Sequence, residues 1–146
     1  MLKHVFVYGT LKQGQCREAC WPLPPQLVRH AWTLGELYDT GPYPALIPGS
    51  DMIAGEIWSY PEHQEATVLQ RLDQIEGTNQ AGFSNEYDRE LVQVELLSGE
   101  QLPASTYFYA RRQAIVQFAR VYPSRRWRGK TVAIWPADAQ WGLVAD

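Results

Sequence analysis

The chain has little with which to build a metal site or a disulfide framework. Only two of its 146 residues are cysteines, at positions 16 and 20. That spacing fits neither the C-x-x-C of a redox centre nor half of a zinc site. The histidines His4, His30 and His63 show no ligand spacing, so reduced structural thiols are expected and no metal. Long apolar runs are also missing, since none approaches the roughly 20 residues that cross a bilayer. Gly9, Thr10 and Lys12 interrupt the first apolar run too early for a signal peptide. The expected location is the cytoplasm, with no membrane partner. Nor is positive charge in excess: the net charge of −3 gives no global attraction to nucleic acid or anionic lipid.

What is present describes an ordinary globular protein. Hydrophobic residues make up 45% and charged residues 20% of the chain, and the length suits one domain over residues 1–146 with a core that needs no staple. Six Trp, eight Tyr and four Phe suit a β-rich fold with an aromatic-lined cavity. No repeat or inter-domain linker interrupts the chain.

The organising stretch is Val5-Phe6-Val7-Tyr8-Gly9-Thr10-Leu11. The run from Leu2 to Tyr8 reads as a strand buried on both faces from Val5 onwards. It stops at Gly9, where a tight turn leaves the amides of Gly9, Thr10 and Leu11 without ladder partners. Three such N–H groups form a potential anion-binding nest, with Gly9 supplying the dihedrals and a close ligand approach. Gly14 to Trp21 reads as a short helix stopped by Pro22. Leu27 to Tyr38 alternates as a strand, with Gly35 marking a bulge or a close backbone approach.

Asp39 to Ala45 is a dense turn cluster in which two prolines bracket Tyr43, as a pocket wall or as a cover for the core. Ala45 to Ile47 reads as a brief strand, Pro48-Gly49-Ser50 as a turn, and Met52 to Tyr60 as a further strand. Glu56 stands among apolar neighbours, where a carboxylate needs a partner, and a structural role is the favoured reading. Pro61 opens the best helix, with Glu62 and Glu65 at its positive end and Val68, Leu69, Leu72 and Ile75 on one apolar face. Gly77 is its stop signal. Glu76, at the negative end of that helix, is either a solvent-exposed glutamate at a frayed end, the favoured reading of the local sequence, or a carboxylate whose pKa repulsion and some burial raise towards neutrality. Asn85 to Leu97 and Leu102 to Tyr109 alternate as strands around a Ser98-Gly99-Glu100 hairpin connection. Tyr87 and Arg89 share a parity near the helix end, as do Tyr107 and Tyr109 further on, where either can reach a pocket.

Two of these stretches together resemble the signatures of the gamma-glutamyl cyclotransferase-like family, which includes gamma-glutamylamine cyclotransferases and AIG2-like proteins. They are Tyr8-Gly9-Thr10-Leu11 after the first strand, and Leu72-Asp73-Gln74-Ile75-Glu76-Gly77 followed by Tyr87-Asp88-Arg89. The likeness covers roughly residues 2 to 109 and is lost from about 110. From the residues alone the fold class is α+β with a mostly non-parallel sheet. The resemblance implies a small, partly closed mixed β-barrel flanked by helices, with a pocket at one mouth. It further implies that Glu76 is the catalytic acid/base and that the Gly9, Thr10 and Leu11 amides hold a substrate carboxylate. Tyr43 is then expected beside the substrate, Tyr8 or Tyr87 as donor to the carbonyl oxygen, and Tyr87 and Arg89 to position Glu76 or line the pocket.

The reaction so implied is release of 5-oxoproline from a small-molecule gamma-glutamyl amide by attack of the substrate's own amine, with no cofactor. An amino acid, an amine, a lysine side chain or a peptide as leaving group would present the same gamma-glutamyl end. A non-catalytic small-molecule-binding domain of the same fold is the main alternative. Residues 111–130 carry seven of the thirteen basic residues and no acid. A nucleic-acid patch there is the less favoured reading beside a solvated face. Thr131 to Trp141 is expected to fold back on the barrel or to meet another subunit.

Overall fold

In the computed structural model, which describes residues 1–142, the first apolar run becomes β1 (Leu2–Val7), which has a strand on either side in the sheet. It is followed by β2 (Leu27–Asp39), β3 (Pro44–Pro61), α1 (Glu65–Glu76), β4 (Tyr87–Leu96) and β5 (Gln101–Tyr109). Three short strands complete the order: β6 (Ala119–Val121), β7 (Arg125–Trp127) and β8 (Lys130–Val132). Neighbours run β3-β1-β5-β4-β2, and pairing of β2 with β3 closes these five strands into a mixed barrel, with β6 as an extra strand on β2. The parallel contact is between β1 and β5, at Val5 and Ser105. The pairs β1–β3, β2–β3, β2–β4 and β4–β5 are antiparallel.

Alternation along the strands divides the core. Phe6, Ala31, Leu37, Leu46, Ile53, Ile57, Val94, Leu96, Ala104 and Phe108, drawn from all five barrel strands, form one buried cluster. The opposite parity of β1, Val5 and Val7, packs with Trp58, Tyr87, Tyr107 and Tyr109 against Val68 and Leu72 of α1. Leu69 and Ile75 lie on the same cluster, so the predicted apolar stripe is the face the helix buries.

Two local expectations are corrected. Gly14 to Trp21 is not a helix but a set of turns with one 3-10 turn at Glu18–Cys20. Here the backbone is claimed by tertiary partners: Arg17 N–H donates to Thr10 O at 2.8 Å, and Trp21 Nε1 reaches Leu11 O while its ring stacks on Trp58 at 4.3 Å. Residues 45–60 are not two strands around a chain reversal but one strand, β3. Pro48, Gly49 and Ser50 bulge out of register between the pairs Gly35–Asp51 and Glu36–Ile47. A side chain on Gly49 would stand 2.6 Å from Glu36 Cγ, so the tight turn chemistry serves a bulge in a continuous ladder.

Glu56 is buried and its Oε1 accepts from Gln13 N–H and Trp58 Nε1, both at 3.0 Å, which fits the structural role. The segment after β8 folds back on the barrel. Ala133 exchanges backbone bonds with Met52 and Ala54, and Trp141 Nε1 donates to Ala31 O and Gly55 O. Several arginines of the basic stretch have protein partners: Arg112 pairs with Glu90, Arg120 with Asp51 and Glu36, and Arg128 bonds Leu97 O. Among the described residues no helix is long and apolar enough to cross a membrane, and both cysteines are free thiols.

Candidate active site

A cavity of about 530 Å³, open mouth included, lies between the end of β1, the end of α1 and the starts of β3 and β4. Its walls include Tyr8, Gly9, Thr10, Leu11, Tyr43 and Pro44, with Glu76, Tyr87 and Tyr107 opposite. Seven residues singled out from the sequence as site candidates therefore meet in one place: Tyr8, Gly9, Thr10, Leu11, Tyr43, Glu76 and Tyr87.

Gly9 begins a turn closed by Lys12 N–H to Gly9 O at 3.1 Å. Among the described residues the amides of Gly9, Thr10 and Leu11 donate to no protein group. Gly9 is not required for a left-handed dihedral, as the nest reading supposed; the positive φ in this loop belongs to Gly14. It is required for space, because a Cβ there would stand 2.6 Å from Pro44 Cγ and 2.7 Å from Cδ. The loop is braced from behind by Lys12, which is buried and donates from Nζ to Trp135 O at 2.6 Å. Burial lowers the Lys12 pKa to about 8, against the opposing pull of Glu56.

Glu76 is fixed by the way its helix stops. Gly77 caps α1 with φ +65°, the left-handed conformation that glycine adopts without strain. Thr78 N–H then reaches back to Asp73 O at 2.8 Å, and its hydroxyl donates to Tyr87 O at 2.6 Å. Those bonds tie the helix end to the start of β4. Glu76 is half-buried in the lining of the open cavity. This burial raises its pKa from 4.5 to about 7; Arg17 opposes the rise and Glu86 adds to it.

The tyrosines are walls rather than free donors. Tyr8 donates its hydroxyl to Tyr107 O, Tyr87 to Pro44 O at 2.9 Å and Tyr107 to Asp73 Oδ1 at 2.6 Å. Burial pushes all three phenols upward, so they stay protonated near neutral pH. Tyr8 and Tyr87, the expected donors to a substrate carbonyl, here give their hydroxyl protons to main-chain carbonyls. Main-chain N–H groups of the loop and the Arg17 guanidinium are left as donors. Tyr109 packs edge-on against Tyr87 and is not among the cavity's walls.

Arg89 is also outside the lining. It pairs with Asp73 of α1 at 3.1 Å. Its route to the pocket runs through Asp73, which holds the Tyr107 hydroxyl. Two charged lining residues, Arg17 and Glu86, were not among the site candidates of the sequence. Arg17 comes to the cavity because its own backbone folds back on Thr10, and Glu86 because its N–H bonds Gly77 O at 3.0 Å. The Glu86 carboxylate accepts from the Tyr43 hydroxyl at 2.9 Å. The glycine turn after the first strand and the residue before Tyr87 were the available signals, but neither has a period that would mark it.

A pre-formed pocket at a barrel mouth, lined by a carboxyl raised to about 7 and by unpartnered amides, has the make-up of a small-molecule site. The chain belongs to the gamma-glutamyl cyclotransferase, AIG2-like family, whose model matches residues 5–129. It is 34% identical over 112 residues to the gamma-L-glutamyl-butirosin B gamma-glutamyl cyclotransferase of Niallia circulans, covering 75% of this chain and 69% of that one. Among solved structures it resembles YkqA from Bacillus subtilis, with TM-score 0.56 and 26% identity over 75% of this chain and 36% of that chain. The fold is shared with a solved gamma-glutamyl cyclotransferase, TM-score 0.51 and 17% identity, over 75% of this chain and 68% of that one.

Proposed function

We propose that this protein, acting as one cyclotransferase-like domain, releases 5-oxoproline from a gamma-glutamyl amide. The observation that carries the reading is Glu76, poised at about 7, in a cavity it shares with the free amides of Gly9, Thr10 and Leu11. The family of the chain and the activity named for its relative from Niallia circulans support the same reaction class.

The substrate's alpha-carboxylate is held by the loop amides and by Arg17, the guanidinium in the cavity wall. Its alpha-ammonium faces Glu76, which takes one proton and frees the amine lone pair. That amine attacks the gamma-carbonyl carbon and closes a five-membered ring. The C–N bond to the leaving group then breaks as Glu76 returns its proton to the departing nitrogen, and the second proton of the ring nitrogen passes through the freed carboxylate to the departed amine, which leaves as an ammonium. No protein nucleophile enters, since both reacting groups belong to the substrate. The walls contribute by holding the chain folded for attack, an effect that supplies several kcal/mol and up to ~10. A carboxyl near 7 suits both halves of the proton transfer at neutral pH.

The test is 5-oxoproline release, followed by mass spectrometry, from a panel of gamma-glutamyl amino acids, amines and peptides. Glu76→Gln is expected to abolish release while the fold is retained. Cyclisation that persists in Glu76→Gln would refute the acid/base role. Binding without release from any member would turn the reading to a non-catalytic domain.

A further inference from the structure

Resting on the cyclotransferase reading, the charges of the cavity point to its substrate class. The lining holds two carboxylates, Glu76 and Glu86, and one cation, Arg17. A gamma-glutamyl group brings one carboxylate and one ammonium. The carboxylate is met by Arg17 and the loop amides, and the ammonium by Glu76, which must take its proton. Glu86 is then left over. Among the described residues it forms no ion pair, and the bond to its carboxylate comes from a neutral phenol, Tyr43.

Its position agrees with a role towards the outgoing part of the substrate. Glu86 follows Ala81 to Ser84, all exposed, and Tyr43 follows the exposed Gly41 and Pro42, so the pair stands at the rim. Its backbone is held to Gly77, the residue directly after Glu76: a Cβ on Gly77 would stand 3.3 Å from Glu86 Cβ. The bond from Tyr43 fixes the side chain without neutralising it. An anion held at the mouth of a low-dielectric pocket favours a cation leaving through that mouth and penalises an anion.

We infer that Glu86 is a specificity-determining residue that selects gamma-glutamyl amides whose leaving amine carries a further positive charge, such as those of diamines and polyamines. The second amine of the leaving group meets the Glu86 carboxylate while the gamma-carbonyl lies at Glu76.

The experiment compares kcat/KM for three gamma-glutamyl amides of similar length: those of 1,4-diaminobutane, butylamine and 4-aminobutyrate. Wild-type protein is expected to favour the diamine amide over the butylamine amide by about tenfold, as one charge-assisted contact provides, and to disfavour the 4-aminobutyrate amide. Glu86→Gln is expected to bring the diamine-to-butylamine ratio close to one. The wild-type ratio itself should shrink as ionic strength rises, because the contact is at a solvated rim; this measurement stands even if the variant misfolds. Equal ratios in wild type and Glu86→Gln, or a wild-type ratio indifferent to salt, would overturn the assignment alone. So would a Glu86→Gln effect limited to a shifted acid limb in the pH profile of all three amides, which would make Glu86 a modulator of Glu76. Absence of turnover with every amide would instead overturn the cyclotransferase reading and carry this inference with it.

Discussion

Glu76 should make the protein less stable as its carboxyl ionises, and replacing it should reverse that. In the unfolded chain its pKa is near 4.5, and in the folded protein burial raises it to about 7. The folded state therefore binds more protons than the unfolded state between those values, and stability falls as pH rises through that window. Below about 4.5 Glu76 is neutral in both states and carries no penalty. Above about 7 the penalty is complete. At about 1.4 kcal/mol per pH unit the interval corresponds to about 3 kcal/mol. Because Glu76 is half-buried at an open cavity, screening by solvent reduces this to about 2 kcal/mol.

Glutamine is isosteric and does not ionise, so Glu76→Gln should match wild type at pH 4.5 and exceed it by about 2 kcal/mol at pH 8. Urea unfolding of both proteins at several pH values measures the difference directly. The same proton should set the acid limb of kcat/KM, which is expected to rise through about pH 7 as the base form of Glu76 appears. A stability difference that is flat from pH 4.5 to 8 would refute the argument, since it would mean that the carboxyl titrates alike in both states.

Gly9→Ala places a Cβ 2.6 Å from Pro44 Cγ. It is expected to cost about 1–3 kcal/mol in urea unfolding and to lower kcat/KM by more than the stability loss predicts, because the displaced wall carries Tyr43. Arg89→Leu should be mild. Its ion pair with Asp73 lies outside the cavity and is partly exposed, so a loss of less than about 1 kcal/mol, or about fivefold in kcat/KM, is expected. A hundredfold loss of kcat/KM in a folded Arg89→Leu protein would return Arg89 to direct contact with substrate.

Much of the site was legible in the sequence because its parts are end-of-element signals. Gly9 ends a strand and Gly77 ends a helix, and in both cases a glycine follows an apolar pattern whose period is clear. The apolar stripe Val68, Leu69, Leu72 and Ile75 fixed which face α1 buries, and so which side of the barrel its last residue reaches. What was not legible depended on partners distant in the chain. Arg17 arrives by a backbone bond to Thr10, and Glu86 by one to Gly77. Arg89 shares a strand parity with Tyr87, yet Asp73 draws it away from the cavity. The strongest local turn signal, Pro48-Gly49-Ser50, became a bulge because long pairing of β3 with β2 outweighs three residues of turn preference. The Lys12 contact to Trp135 joins two segments that no periodic pattern links.

The parallel pairing of β1 with β5 bears on how the protein comes to be active. β1 pairs with β3 along its whole length, from Leu2–Pro61 to Val7–Glu56, and with β5 at Val5 and Ser105. Such a barrel is closed by contacts of long sequence separation, which form late and slowly. The cavity walls run from Phe6 to Tyr107, across that same closure. A nascent chain that has made the Gly9 loop, the β2–β3 pair and even the capped helix still lacks the floor on which Tyr8 rests its hydroxyl, Tyr107 O. Completion of the barrel and arrival of a working pocket are therefore one event, and a half-folded chain has no half-built activity to lose or to misuse.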